Sequence, residues 1–208
     1  MSAVPPGARL VLATRNEHKV AELREILGPL LPGLPAEAVV GARDLDVPEP
    51  VEDGVTFAEN ALIKARALAA ATGLPAVADD SGLCVDVLGG APGVFSARWA
   101  GRHGDDRANL ELLLAQLADV PAEHRAAHFA CAAALVTLDG TEMVRTGTMP
   151  GVLLPEARGT GGFGYDPVLQ PAGEDRSAAE LSAAEKNAIS HRGQAFRALA
   201  PHVASLLG

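Results

Sequence analysis

The stretch Arg9-Leu-Val-Leu-Ala-Thr14, with the thirteen residues that follow it, decides the fold class. Leu10, Val11 and Leu12 form an unbroken apolar run, which reads as a buried strand. Asn16 can cap a helix. Val20, Leu23 and Leu27 recur at spacings of three and four, which predicts an amphipathic helix over residues 17–27, ended by Gly28-Pro29. A strand that turns straight into a helix points the first helical N–H groups at whatever lies above the strand end, a ready site for an anion.

The same alternation continues downstream. Residues 28–55 are rich in Pro, Gly and acids and read mostly as loop, with one short strand near Ala38–Val40. Thr56-Phe-Ala-Glu59 is a capping box, and it opens an alanine-rich helix that reaches Thr72 and stops at Gly73 and Pro75. Pro75-Ala-Val-Ala-Asp79 predicts a short buried strand ending in Asp79-Asp80-Ser81-Gly82, and Leu83–Val87 a further one. Gly89–Gly104 reads as glycine-rich loop, after which Asp105 or Asp106 caps a helix running to about Leu117. Asp139-Gly140 between Phe129–Leu138 and Glu142–Met149 is a hairpin signal, with a short strand at Val152–Leu154 beyond it. Ser182-Ala-Ala-Glu185 is a second capping box, and Phe196, Leu199, Val203 and Leu206 mark a C-terminal helix. Together these predict an α/β fold, a mixed sheet with helices packed on it. No repeat or linker interrupts residues 1–208, so a single domain is expected.

Composition narrows the function. With 48% hydrophobic and 21% charged residues the chain has the material for a sizeable core, and with only 3% aromatics that core is built from Ala, Val and Leu. A net charge of −9 argues against a nucleic-acid binder, which needs a basic face. It leaves room for a small phosphorylated ligand in a local positive pocket completed by a metal ion. No cationic segment followed by an apolar run opens the chain, and the stretch Ala65–Ala78 is broken by Arg66, Gly73 and Pro75, so neither a signal peptide nor a membrane span is expected. Cys84 and Cys131 read as two buried thiols of a reducing compartment, and a cytoplasmic protein is expected.

The basic residues number 17, yet only Lys19, Lys64 and Lys186 are lysines. A compact charge on a flexible stem suits phosphate contact; solvated surface charge is the bland alternative. Adjacent carboxylates at Asp79 and Asp80 repel unless a cation or donor is near. Mg²⁺ meets that need with oxygen ligands and bridges carboxylates to substrate phosphates, although Asp-Asp-Ser-Gly alone is also an ordinary turn. Of Glu49, Glu52 and Asp53, one can join the metal, or all can simply favour the helix N-terminus that follows. Gly159-Thr-Gly-Gly-Phe-Gly164 formally matches GxGxxG, but Tyr165-Asp166-Pro167 follows it in place of a helix, which rejects a dinucleotide site and makes an oxidoreductase the least favoured reading, one that absence of NAD binding would close. It reads instead as a loop whose glycines let backbone approach a ligand, with Phe163 offering a ring face to a base. His191 and Arg192, opening the last helix, are candidate donors, although a structural histidine is as common. His124 and His128 border a predicted strand, so a helical metal pair is not expected.

These pieces resemble the inosine/xanthosine triphosphate pyrophosphatase family, the Ham1/RdgB-type non-canonical purine NTP pyrophosphatases. The matching blocks are Leu12–Lys19, Gly54–Ala65, Ala78–Arg98, Gly159–Pro167 and Ala179–Gly193, in family order over nearly the whole chain. The resemblance implies an elongated two-lobed fold, a mixed sheet with flanking helices and a central cleft. It implies Mg²⁺-dependent hydrolysis of ITP, dITP and XTP to the monophosphate and pyrophosphate by a homodimer, clearing deaminated purines from the nucleotide pool. It places the water-activating carboxylate at Asp80 and makes Glu52 and Asp80 the metal ligands. The triphosphate would lie against Thr14, Arg15, Asn16, Glu17, His18, Lys19 and Lys64, with Ser81 adding a hydroxyl. The purine would lie against Phe163, Gly164, Tyr165 and Asp166, with Lys186, His191 and Arg192 donating to the oxygen at C6. Arg15 stands where the family often has Gly or Ser, and Phe95 where it has Tyr. Two other readings are a Maf-like relative acting on other nucleotides and a non-catalytic nucleotide sensor. Asp80 and Glu52 weigh against the sensor, because binding alone needs no water-activating carboxylate.

Overall fold

The computed structural model describes residues 4–13, 28–30, 35, 38–45 and 47–207. The predicted helix over residues 17–27 lies outside these. The regular elements are β1 (Leu10–Leu12), β2 (Val39–Gly41), α1 (Phe57–Thr72), β3 (Ala76–Val85), α2 (Asp106–Gln116), β4 (Ala126–Val136), β5 (Glu142–Leu153), β6 (Leu169–Pro171), α3 (Ala183–Ile189) and α4 (His191–Leu207). The strands hydrogen-bond in the order β2-β1-β3-β4-β5-β6. β1 runs parallel to β2 and β3, whereas β5 and β6 are antiparallel, so the sheet is mixed, as the alternation of elements predicts.

The chain divides into two compact units. One comprises Met1–Asp80, Cys131–Gly147 and Arg192–Gly208, the other Ser81–Ala130 and Thr148–His191. In the first unit, side-chain alternation along the strands sorts the core into two layers. Leu10, Leu12, Val77, Cys131, Ala133 and Leu135 face Phe196, Leu199 and Val203 of α4. Val11, Ala76, Ala78, Ala132, Ala134 and Val136 face Ala61, Ala65, Leu68 and Ala69 of α1. A helix on each face explains why these strands read as apolar runs without alternation. The second unit packs Leu83, Val85, Phe129, Met149, Leu153 and Leu169 against Leu113 and Leu117 at the end of α2.

The helix ends follow their sequence signals. Thr56 Oγ1 accepts from Glu59 N at 3.1 Å while Glu59 Oε2 accepts from Thr56 N at 3.1 Å, closing the capping box that starts α1. Gly73 ends α1 in the left-handed conformation, at φ 66°. Ser182 and Glu185 form the same box at α3, and Asp105 caps α2.

Three expectations are corrected. Asp79-Asp80-Ser81-Gly82 is not a turn between two strands; it runs straight through β3. Turn preference yields here because strand pairing and charged partners for both carboxylates outweigh it. The separate strand at Val152–Leu154 is the end of β5, which continues through Gly151 because β6 lies against it: a Cβ there would collide with the Gln170 carbonyl. Cys84 is only half-buried, although Cys131 is buried; both are free thiols. No helix among the described residues is long and apolar enough to cross a membrane.

Phe196 is fully buried in the α4 layer. Phe196→Ala should therefore lower the unfolding free energy by about 3–5 kcal/mol in urea titration. Leu138→Ala, at a side chain 62% exposed, should change it by no more than about 0.5 kcal/mol.

Candidate active site

In the first unit a charged cluster forms where α1 passes the middle of β3. Asn60 and Lys64 lie one turn apart on α1, so both point the same way. Lys64 Nζ stands 3.2 Å from Glu52 Oε2 and 3.3 Å from Asp80 Oδ1. Asp80 Oδ2 accepts from Asn60 Nδ2 at 3.1 Å, and Asn60 Oδ1 accepts from Gly54 N at 2.9 Å. The structure thus brings together Glu52 and Asp80, 28 positions apart in the sequence, on one ammonium. Burial alone would lower the Lys64 pKa, but the negative charges of Asp80, Asp79 and Glu52 outweigh it and hold it above the ordinary lysine value. Lys64 is therefore a permanent cation at neutral pH.

Asp79 has a different fate from Asp80. Neighbouring residues of a strand point to opposite faces. Asp79 Oδ2 accepts from Arg192 Nε at 3.3 Å, and both side chains are buried. The repulsion expected between adjacent carboxylates is thus relieved by pointing them apart and giving each its own cation. Arg192, expected as a donor to the base, is here the counter-ion of Asp79. Asp79 itself is a residue whose part sequence reasoning missed; strand alternation, applied through the Asp-Asp pair, is the signal that finds it.

The donor set bears on a metal. Glu52 and Asp80 offer hard carboxylate oxygens already gathered around a positive charge. Among the described residues no group of three or more His, Cys, Asp or Glu side chains could hold a metal alone. Two carboxylates without a cage suit Mg²⁺, which takes one or two protein oxygens and completes its shell with water and substrate phosphates.

A second cluster lies within the other unit. Lys186 Nζ stands 2.7 Å from Asp166 Oδ2, and both groups are buried. The same Asp166 oxygen accepts from Phe163 N at 2.8 Å, and the ammonium lies 5.2 Å from the centre of the Phe163 ring. Gly162, at φ 69°, passes so close to the Asp166 carboxylate that a Cβ could not fit. Gly164 N donates to Asp106 Oδ2 at 3.0 Å. Asp166 thus folds the glycine-rich loop around its own carboxylate and fixes the phenyl ring beside a cation. The Tyr165 hydroxyl donates to Ser96 O at 3.0 Å, and burial raises its pKa, so the phenol is neutral and anchors the loop. The His191 ring is stacked on Phe129 at 5.0 Å and buried. Ser81 follows Asp80 in β3 and is half-buried. Thr14, Arg15, Asn16, Glu17, His18 and Lys19 lie outside the described residues. Of the three lysines singled out by their scarcity, Lys64 and Lys186 are both bound to buried carboxylates rather than spread over the surface.

The Ham1 family profile matches residues 10–202. A dITP/XTP pyrophosphatase of Streptomyces coelicolor is 68% identical over 96% of this chain and 99% of its own. That of Leifsonia xyli is 58% identical over 95% of this chain and 96% of its own. Among solved structures, the nucleoside-triphosphatase / dITP/XTP pyrophosphatase of Mycobacterium abscessus superposes with a TM-score of 0.75 at 50% identity, over 93% of this chain and 99% of its own. A HAM1 protein of Coxiella burnetii gives a TM-score of 0.84 at 40% identity, over 95% and 99%. Matched in sequence and in fold along nearly all its length, the chain belongs to the Ham1 family.

Proposed function

We propose that this protein hydrolyses non-canonical purine nucleoside triphosphates (ITP, dITP and XTP) to the nucleoside monophosphate and pyrophosphate. The observation that carries the reading is the convergence of Glu52 and Asp80 on Lys64, with Asp80 held by Asn60. The activity named for the relatives supports it.

Phosphoryl chemistry of this kind asks a protein mainly for positioning and for charge. Asp80 is the base: it pairs with Lys64 and accepts the proton of the water that attacks the α-phosphorus. Pyrophosphate leaves. Lys64 adds positive charge beside the phosphates, and Thr14, Arg15, Asn16, His18 and Lys19, with the backbone N–H of Glu17, at the start of the helix predicted over residues 17–27, supply further donors to them. Glu52 and Asp80 are the residues that would hold Mg²⁺, whose contribution when bound is to neutralise the phosphate charge.

The base is read by different groups. Phe163 and Gly164 offer a stacking face and a close backbone approach, and Lys186, ordered by Asp166, is the donor for an oxygen at purine C6. His191 is the further donor proposed there. An amino group at C6, as in adenine, would leave such a donor unpaired, a mismatch that a site built on one hydrogen bond can turn into discrimination of about 10⁴-fold. We extend the reading to a cytoplasmic homodimer. Free thiols at Cys84 and Cys131 suit a reducing compartment, and Val87 and Phe95 leave exposed apolar surface for a second copy.

Incubation with ITP and Mg²⁺ should yield inosine monophosphate and pyrophosphate by ³¹P NMR; orthophosphate as the first product would refute the reading. Asp80→Asn should reduce kcat by about 10²–10⁴-fold while nucleotide binding stays measurable by calorimetry. Near-normal turnover would remove Asp80 from its role.

A further inference from the structure

We infer that Asn60 is a positioning residue for this site, its side-chain amide locking the Asp80 carboxylate and the loop that carries Glu52 into one arrangement. The inference rests on the reading of Asp80 as the water-activating base. Asparagine is a poor helix former, and Asn60 sits in the second turn of α1 on a face otherwise made of Ala61, Ala65, Leu68 and Ala69. It is 1% exposed. A buried amide is tolerated only when its polar atoms are partnered, and both ends of this one are. The amide orientation is dictated by the partners, since a backbone N–H can only donate and an ionised carboxylate can only accept. So Oδ1 faces Gly54 N at 2.9 Å and Nδ2 faces Asp80 Oδ2 at 3.1 Å.

Two further observations make this a clamp. With Lys64 on Oδ1 of Asp80 and Asn60 on Oδ2, both oxygens of the base are addressed and its plane is fixed. Gly54 packs directly on the amide: a Cβ there would stand 2.6 Å from Asn60 Oδ1 and 2.7 Å from Glu59 Cβ. Gly54 lies two residues after Glu52, so one amide ties the Glu52 loop, α1 and β3 together. No other natural side chain of this size donates with one end and accepts with the other: Asp cannot donate when ionised, and Leu can do neither.

The test compares wild type, Asn60→Asp and Gly54→Ala. Steady-state kinetics use ITP and Mg²⁺ at about pH 8, where carboxylates are ionised. Hydrogen exchange of the Gly54 amide is measured without metal or nucleotide. Asn60→Asp keeps the acceptor for Gly54 but turns a like charge on Asp80. Its Gly54 amide should stay protected while kcat falls about 10–100-fold, with KM within about threefold, because misplacing a reacting group weakens chemistry more than binding. Gly54→Ala leaves every functional group in place and displaces the amide; its kcat should fall similarly and exchange at residue 54 should quicken. It also carries the test if Asn60→Asp does not fold. With wild type active, a kcat for either variant within twofold of wild type, or a loss confined to KM, overturns the inference alone. An unprotected Gly54 amide in wild type overturns it whatever the activity. A wild type that releases no pyrophosphate while Gly54 is protected refutes the functional reading, and the catalytic role of Asn60 with it, but leaves the clamp standing.

Discussion

One half-buried ammonium standing within 3.3 Å of two carboxylates is the interaction on which the site depends. Without Lys64, Glu52 and Asp80 would lose the cation they share, and the repulsion between the two acids would grow. Such pairing of half-buried charges contributes little net stability, because desolvation offsets attraction. What it supplies is a carboxylate held in a fixed place. The same cation can then turn to substrate phosphates, while the two acids retain oxygen donors for a divalent ion.

The rest of the first unit makes that placement possible. α1 approaches the sheet through Ala61, Ala65 and Ala69, which meet Ala76, Ala78, Ala132 and Ala134. Small side chains on both surfaces let the helix lie close, so short groups such as Asn60 reach the strand at Asp80. The poverty of aromatics is thus part of the design of the site, and it leaves the opposite layer, around Phe196 and Leu199, to bury the larger side chains. β3 sorts its acids by parity: Asp79 goes to Arg192 and Asp80 to Lys64. One dipeptide therefore provides both an anchor for the start of α4 and the carboxylate proposed as the base.

Much of this was legible in the residues. Capping boxes at Thr56 and Ser182, the glycine after Thr72 and the Asp139-Gly140 turn each mark a local event decided by neighbouring residues, and each forms as read. The Asp79–Gly82 segment misleads because turn preference is a local property, whereas its extension is imposed by pairing with distant strands and by Arg192, Lys64 and Asn60. β6 was invisible because three residues carry no periodicity. Scarcity of lysine pointed to Lys64 and Lys186, but only geometry reveals that both face carboxylates; a sequence shows charge and not its partner. Asn60 lay inside a recognised block yet carried no flag of its own. Its signal is a polar residue on the apolar face of a helix, and that face is known only once the helix has been placed.

Thermal unfolding of Lys64→Met, with and without Mg²⁺, tests the central interaction most directly. The variant should melt below wild type, because two acids have lost their shared cation. Mg²⁺ should raise its Tm more than it raises that of wild type, since a divalent ion can take the place between Glu52 and Asp80 and stabilise the state that binds it. A Lys64→Met protein that melts with wild type and is indifferent to Mg²⁺ would contradict the existence of a shared cation site.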